Sequence, residues 1–134
     1  MFDHSGLSLA EKTALLMGEI LHWRDGIEDA LQYGEHSHTF DDLVGKVLTG
    51  QLHFYNYEEC CLFMQIVQYP QFKNYHCFLA TGNQEALDAA GVDMSRIARE
   101  FGCKHLSISG RPGWERRLKV RGWKHVLSTM YLAV

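Results

Sequence analysis

The chain has little proline, no long apolar run and no segment of low complexity. Two prolines in 134 residues give no support to disordered tails. No stretch of about 18 apolar residues occurs, so we expect no transmembrane helix. The first twelve residues, MFDHSGLSLAEK, contain no basic segment followed by an apolar one, so we expect no secretory signal peptide. Its hydrophobic content of 46% predicts one globular domain with a substantial core.

The four cysteines do not form metal-binding or disulfide-type pairs. Cys60 and Cys61 are adjacent, and Cys77 and Cys103 stand alone in strand-like runs. We expect buried thiols in a reducing compartment. Cys103 and His105 share one strand face, so a metal cluster with the neighbouring strand is conceivable. Because the sequence has no CxxC pair, we predict that the thiols are packed in the core and that the chain has no metal site.

Charge is distributed unevenly along the chain. Residues 104–134 carry seven basic side chains and one acidic, a net charge of +6, whereas residues 1–103 carry six basic and fifteen acidic, a net charge of −9. Such a basic patch is expected to face an acidic or anionic partner, although a solvated helix face explains the same residues. Nucleic acid is not favoured, because its binders have a basic domain overall. The candidate partner-binding residues are Arg111, Trp114, Arg116, Arg117 and Arg121.

The N-terminal third is predicted to be helical. The sequence SLAE at 8–11 has the form of a capping box, and apolar residues keep helical spacing from there to Leu31. Gly26 is expected to kink or divide this helix. Thr39 opens a second helix in the same way, and Gly50 ends it.

Three strands are expected next, followed by a helix and a fourth strand. The strands are Leu52–Tyr57, Cys60–Gln68 and Tyr75–Thr81, and their short links predict an antiparallel meander. Residues 83–101 read as a helix with a break at Gly91 and a new N-cap at Asp93. A right-handed crossover to residues 103–109 makes that strand parallel to the third.

The last thirty residues predict a short basic helix and a final strand. The turn GRPG at 110–113 precedes a helix with Trp114, Arg117, Leu118 and Arg121 on one face, and Gly122 ends it. From Trp123 onward both alternating faces are largely apolar, so we expect a strand inside the sheet.

The predicted fold class is therefore α/β, with a single mixed, mostly antiparallel sheet and helices on both faces. This order resembles the GNAT-like (acyl-CoA N-acyltransferase) fold, as one domain over residues 1–134, with an N-terminal helix and loop over 1–38 and a core over 39–134. More specifically the chain resembles small GNAT-like proteins of tailed bacteriophages, known as internal virion proteins or acetyltransferases. The segments that carry the likeness are TFDDLVGKVLTGQLHFY, CLFMQIVQYPQFKNYHCFLATG and REFGCKHLSISGRPGWERRLKVRGWKHV, above all IVQYP and GRPGW.

The resemblance also implies where acetyl-CoA is expected to bind. GNAT enzymes hold its pyrophosphate on backbone N–H groups of a Gln/Arg-x-x-Gly-x-Gly/Ala loop at a helix start. The matching stretch here, TGNQEALD at 81–88, has one glycine, and Glu85 and Asp88 would repel phosphate. If acyl-CoA binds, the expected contacts are Thr81, Gly82, Asn83, Ser107 and Ser109.

The family's catalytic groups are also missing. Leu118 stands where the family often has a tyrosine acid, and residues 75–81 contain no glutamate base. His76 can accept a proton, although a strand histidine is more often simply packed. The resemblance thus implies a non-catalytic protein without cofactor, which acts in virion assembly or as an internal, ejection or head–tail component.

The expected partners are other virion proteins or an acidic host protein, in the virion or the cytoplasm of the bacterial host and not in a membrane. Two alternatives stay open: an active acyl-CoA-dependent N-acetyltransferase, with acetyl-CoA as cofactor, and an inhibitor that binds a host factor.

Overall fold

The computed structural model describes residues 6–110 and 112–134, in which helices and strands alternate largely as predicted. The elements are α1 (Leu9–His22), α2 (Arg24–Leu31), a 3₁₀ helix (Gln32–Gly34), α3 (Phe40–Leu48), β1 (His53–Asn56), β2 (Cys60–Gln68), β3 (Lys73–Gly82), α4 (Gln84–Glu100), β4 (His105–Ile108) and α5 (Pro112–Lys119). None of these helices combines the length and apolar character needed to cross a membrane.

Capping boxes begin α1 and α3, as the sequence predicts. Ser8 Oγ accepts the Glu11 N–H at 3.1 Å, and the Glu11 carboxylate accepts the Ser8 N–H in return. Thr39 and Asp42 make the same pair of bonds, at 3.1 and 2.8 Å. The Thr39 N–H beside the Asp42 carboxylate lowers the pKa of that group. Both helix starts are thus fixed by local side chains.

The division between the first two helices falls at Trp23 and not at Gly26, so that prediction is wrong. Trp23 ends α1 and precedes α2, and its indole N–H donates to Asn56 Oδ1 at 2.8 Å. Gly26 lies within α2, where a Cβ would stand 2.7 Å from Thr81 Oγ1. The glycine therefore allows α2 to pack closely against β3, and the tryptophan anchor sets the break.

The sheet has the order β1-β2-β3-β4, and its strand directions confirm the meander and the crossover. β1, β2 and β3 are antiparallel neighbours, and β4 is parallel to β3. Phe63 pairs with Leu79 while Met64 pairs with Cys77, which leaves Phe78 as the extra residue of a β-bulge. Because of this bulge, Phe78 and Leu79 both pack on the α1–α3 side of the sheet.

The core consists of two clusters, one on each face of the sheet, which confirms helices on both faces. Under α1, α2 and α3 lie Ile20, Ile27, Leu31, Phe40, Leu43, Val44, Leu52, Cys61, Phe63 and Leu79. Under α4 lie Cys60, Leu62, Met64, Tyr75, Cys77, Leu87, Ala90, Met94, Ala98 and Cys103. All four cysteines are buried free thiols, as predicted, and burial raises the pKa of Cys77 to about 12.

Helix α4 is continuous, so the predicted break at Gly91 and N-cap at Asp93 are wrong. The helix is capped by Asn83 and carries buried residues on both sides of Gly91, at Ala90 and Met94. A glycine inside a helix costs about 1 kcal/mol, which the burial of this apolar face outweighs. Asp93 instead accepts the Tyr57 hydroxyl at 3.1 Å.

The predicted final strand is also absent: residues 123–134 pair with no strand of the described chain. The Trp123 N–H donates to the Leu118 carbonyl at 3.2 Å, and beyond it no backbone-to-backbone hydrogen bond of residues 124–134 is found within residues 6–110 and 112–134. Apolar residues on both faces indicate that a segment can be buried in a sheet, but they do not specify the strand with which it pairs.

Candidate functional site

β3 and β4 separate halfway along β3, which leaves a gap in the sheet. The two strands pair only from Asn74 with His105 to Cys77 with Ile108, whereas β3 continues to Gly82. A cavity of about 710 Å³ opens at this point. Its walls include Phe78 and Leu79 from one face of the sheet and Ala80 from the other, so the cavity lies at the gap between the diverging strands.

His76 lies on the wall of this cavity between two serines of β4 and its C-terminal extension. Ser107 Oγ and His76 Nδ1 form a hydrogen bond of 2.9 Å, and Ser109 Oγ lies 3.5 Å from Nε2. Burial lowers the pKa of His76 below its ordinary 6.5, because the charged ring would lose hydration. The imidazole is therefore neutral at neutral pH and able to accept a proton.

This histidine makes the stability of the protein depend on pH. The pKa of His76 is lower in the folded chain than in the unfolded chain, so protonation favours unfolding. The contribution of neutral His76 to the free energy of unfolding is fully present above the pKa of histidine in the unfolded chain. It is lost as pH falls through about 6.5 towards the lower pKa of His76 in the folded chain. We expect the loss in free energy of unfolding between about pH 7.5 and about pH 5.5 to be smaller in His76→Gln than in the wild type. Urea titrations at both pH values measure it, with the exposed His125→Gln as control; equal losses in all three proteins would contradict the assignment.

The predicted cofactor loop at the end of β3 is occupied by the protein's own hydrogen bonds. The Asn83 N–H donates to the Glu59 carbonyl at 2.8 Å, and Asn83 Oδ1 accepts the Ala86 N–H at 3.0 Å. Gly82 has φ +126°, and a Cβ there would stand 2.6 Å from Cys60 Cα. Two of the amides that could face an anion are thus used within the chain.

The five candidate cofactor contacts fall into two separate groups. Ser107 pairs with His76 in the sheet, whereas Thr81 pairs with Cys61 five residues further along β3. Five residues of strand span roughly 16 Å. Ser107 and Ser109 are therefore grouped at His76, whereas Thr81, Gly82 and Asn83 lie at the start of α4.

Part of the surface at α5 predicted to bind a partner packs against α4. Arg117 Nη2 and Arg121 Nη2 both donate to Asp88 Oδ2 of α4, the second at 2.9 Å, and Asp88 is 15% exposed. Trp114 and Leu118 line a pocket of about 60 Å³ beneath α4. These residues dock the helix on the protein itself. Arg116 is exposed, and Arg111 lies outside the described residues.

Asp88 is expected to be a main anchor of α5. Asp88→Ala removes the acceptor of two guanidinium groups that are partly covered by protein, so we expect the free energy of unfolding to fall by about 1–2 kcal/mol. Glu85→Ala on the exposed side of the same helix is the control, with a change within about 0.5 kcal/mol. Urea unfolding followed by circular dichroism measures both, and equal effects would mean that Asp88 does not hold α5.

Sequence reasoning missed the two features that depend on distant pairing. Asp88 was expected only to repel phosphate, and its ion pair with Arg117 joins residues 29 positions apart. His76 and Ser107 meet only because β3 and β4 are parallel in this register. In the described part of the chain, no group of three His, Cys, Asp or Glu side chains is placed to hold a metal ion.

Neither a protein-family model nor a curated protein sequence matches the chain. Among solved structures it is similar to wild-type TTHA1254 from Thermus thermophilus, with a TM-score of 0.52 and 18% identity over 84% of this chain and 89% of that one. A point mutant of TTHA1254 matches with a TM-score of 0.53 at the same identity and coverage. At this identity the likeness shows a shared fold, and function must be argued from the site.

Proposed function

We propose that the chain is a GNAT-like protein of tailed bacteriophages that acts by binding other proteins, as a virion component or assembly factor, and not by acetyl transfer. The sequence resemblance and the gap between β3 and β4 support a GNAT-like fold. The main observation in support of a protein without acetyltransferase activity is the hydrogen bond from the Asn83 N–H to the Glu59 carbonyl.

A diphosphate at the start of α4 would have to displace bonds that already satisfy the chain. Free N–H groups and the positive end of the helix dipole make a helix start attractive to anions. Here Asn83 caps the helix, its own amide is taken by Glu59, and Glu85 places a carboxylate in the first turn. Binding would break the cap, worth about 1 kcal/mol, and bring like charges together.

The proton donor of the family is also replaced by a packed side chain. Leu118 contributes to the apolar pocket beneath α4 together with Trp114 and Met94. A leucine cannot protonate a leaving thiolate, and Leu118 instead packs α5 against α4 in this pocket. The chain thus keeps a GNAT-like fold without the groups for acetyl transfer. Exposed basic residues such as Arg116 are then available to bind a protein partner.

The proposal makes two claims, the absence of acetyl-CoA binding and a role in the virion. The first is tested by acetyl-CoA binding, and the second by the protein composition of purified virus particles. We expect no rise in the melting temperature with acetyl-CoA and no CoA retained through purification. A ligand at a hundred times its Kd would add about 2.7 kcal/mol of stability and raise the melting temperature by several degrees. Such a rise would overturn the loss of cofactor binding.

The virion role predicts that mass spectrometry finds the polypeptide in purified particles, and its absence there would overturn that role. Capture of a virion protein by the tagged chain should weaken with Arg116→Glu and persist with Lys12→Glu, a matched charge reversal at an exposed site on α1. Equal capture by the two variants would exclude Arg116 from the interface.

Acyl-CoA-dependent acetyl transfer is the second candidate function. The position of His76 at the wall of the cavity favours it. In the tautomer whose Nδ1–H donates to Ser107 Oγ, the ring keeps a lone pair on Nε2, 3.5 Å from Ser109 Oγ at the wall of the cavity. Such a base could take a proton from an amine as it attacks the thioester. The test is whether free CoA is released from acetyl-CoA in the presence of amines. Release by the wild type and by His125→Gln, but not by His76→Gln, would support this candidate over the first.

A further inference from the structure

The C-terminal segment, residues 124–134, has the sequence of a buried strand without the contacts of one. Its large apolar side chains are exposed: Val126, Leu127, Met130, Tyr131, Leu132 and Val134. Leu127 is 73% exposed and Met130 is 92% exposed. Six such side chains in eleven residues form an apolar surface that a protein normally covers.

β4 is an open edge of the sheet. It pairs with β3 on one side, and no strand of the described chain lies on its other side. Its sequence, HLSI, contains neither the lysine nor the proline that often protects such an edge. The edge therefore offers backbone donors and acceptors to an added strand.

The segment lies near the C-terminal end of β4 without pairing with it in its own chain. Trp123 is held by the Leu118 carbonyl and lines the pocket beneath α4. Tyr131 borders the large cavity together with Ser109 and Gly110, which follow the last residue of β4. The chain thus lies close to the C-terminal end of β4 at Trp123 and again at Tyr131, while most of the large apolar side chains of the segment are exposed.

A second copy of the chain supplies what each segment lacks. One molecule carries both an unpaired strand sequence and an unpaired edge, and a twofold axis brings each strand to the other molecule's edge. At about 100 Å² of apolar surface for each large side chain, twelve side chains bury roughly 1,200 Å². With the covered edge added, this reaches the 1,200–2,000 Å² typical of stable interfaces.

We propose that residues 124–134 form an exchanged strand in a symmetric dimer, each pairing with the β4 edge of the partner molecule. The exchange extends both sheets and buries the exposed side chains of both segments. It does not depend on whether the chain binds acetyl-CoA or enters a virion.

Light scattering after size exclusion tests the dimer. We expect the wild type to have twice the chain mass of 15.4 kDa. The double variant Leu127→Lys with Leu132→Lys should be a monomer with an unchanged circular dichroism spectrum in the helical region. Val92→Lys is the matched control, because Val92 on α4 is 73% exposed like Leu127, and it should remain a dimer. A monomeric wild type at its highest attainable concentration would overturn the proposal.

Hydrogen exchange and truncation identify the surface that is used. In the wild type, protection is expected for the amides of residues 124–134 and for the amides of residues 105–108 that do not bond to β3. The outward-facing amides of residues 105–108 should lose protection when residues 124–134 are deleted, whereas those bonded to β3 should keep it. A dimer that survives the deletion, or one whose C-terminal amides exchange freely, would show a different interface. Protected C-terminal amides in a monomer would show an intramolecular strand, and either result overturns the exchange.

Discussion

Replacement of Tyr75 by alanine should lower the free energy of unfolding by about 3–5 kcal/mol. Tyr75 is completely buried near the start of β3, and its ring lies 5.4 Å from that of Phe101 and 5.7 Å from that of His53. Truncation would leave a large cavity between the sheet and the end of α4. Urea unfolding followed by circular dichroism measures the change, and a loss under about 1 kcal/mol would show that the ring is not part of the core.

The Tyr75→Phe variant separates the hydroxyl from the ring. The hydroxyl lies 2.6 Å from His53 Nδ1 and 2.6 Å from the Tyr55 hydroxyl, so it joins β3 to β1 across β2. We expect a loss of about 1–2 kcal/mol, because two partly buried groups lose a partner. Tyr55→Phe, which removes one of these bonds, should cost less. A Phe variant as unstable as the Ala variant would assign the whole effect to hydrogen bonding.

Elements fixed by local side chains were predictable from the sequence. The Ser8 and Thr39 capping boxes place two helix starts, and the strand predicted over Cys60–Gln68 matches β2 at both ends. These signals lie in short stretches of consecutive residues. Sheet order also followed, since short links and one helical crossover allow few arrangements.

Features decided by distant packing were not predictable. Gly26 and Gly91 each look like a helix break, yet one meets Thr81 and the other lies in a helix held by its buried face. The C-terminal segment has a strand pattern, but a pattern does not specify a partner strand. Local propensity gives way wherever tertiary contacts are worth more than about 1 kcal/mol.

The candidate site shows the same limit. The resemblance to the GNAT-like fold implies Ser107 and Ser109 as contacts for acyl-CoA, whereas the sequence pattern favours a packed His76. Their meeting requires the parallel register in which His76 lies opposite Ser107. The internal use of the Asn83 amide follows from the close approach of Gly82 to the β1–β2 link, which no spacing in the sequence reveals.

That close approach makes Gly82 the second position of large effect. Gly82→Ala should lower the free energy of unfolding by about 2–5 kcal/mol, since the backbone has φ +126° and the new Cβ would stand 2.6 Å from Cys60 Cα. The colliding atoms belong to Glu59 at the end of the β1–β2 link and to Cys60 at the start of β2, and backbone atoms cannot rotate away as a long side chain can. Thermal and urea unfolding measure the loss.

Gly91→Ala is the matched control, because a Cβ there meets nothing within 4 Å. Alanine is favoured over glycine in a helix, so this variant should gain up to about 1 kcal/mol. Opposite signs at the two glycines would show that the link between β3 and α4 is rigidly packed on Glu59 and Cys60. If Gly82→Ala instead cost as little as an exposed surface change, the loop would be able to move. The Asn83 amide could then leave Glu59 and turn to a phosphate, and the cofactor-free function proposed above would lose its main support.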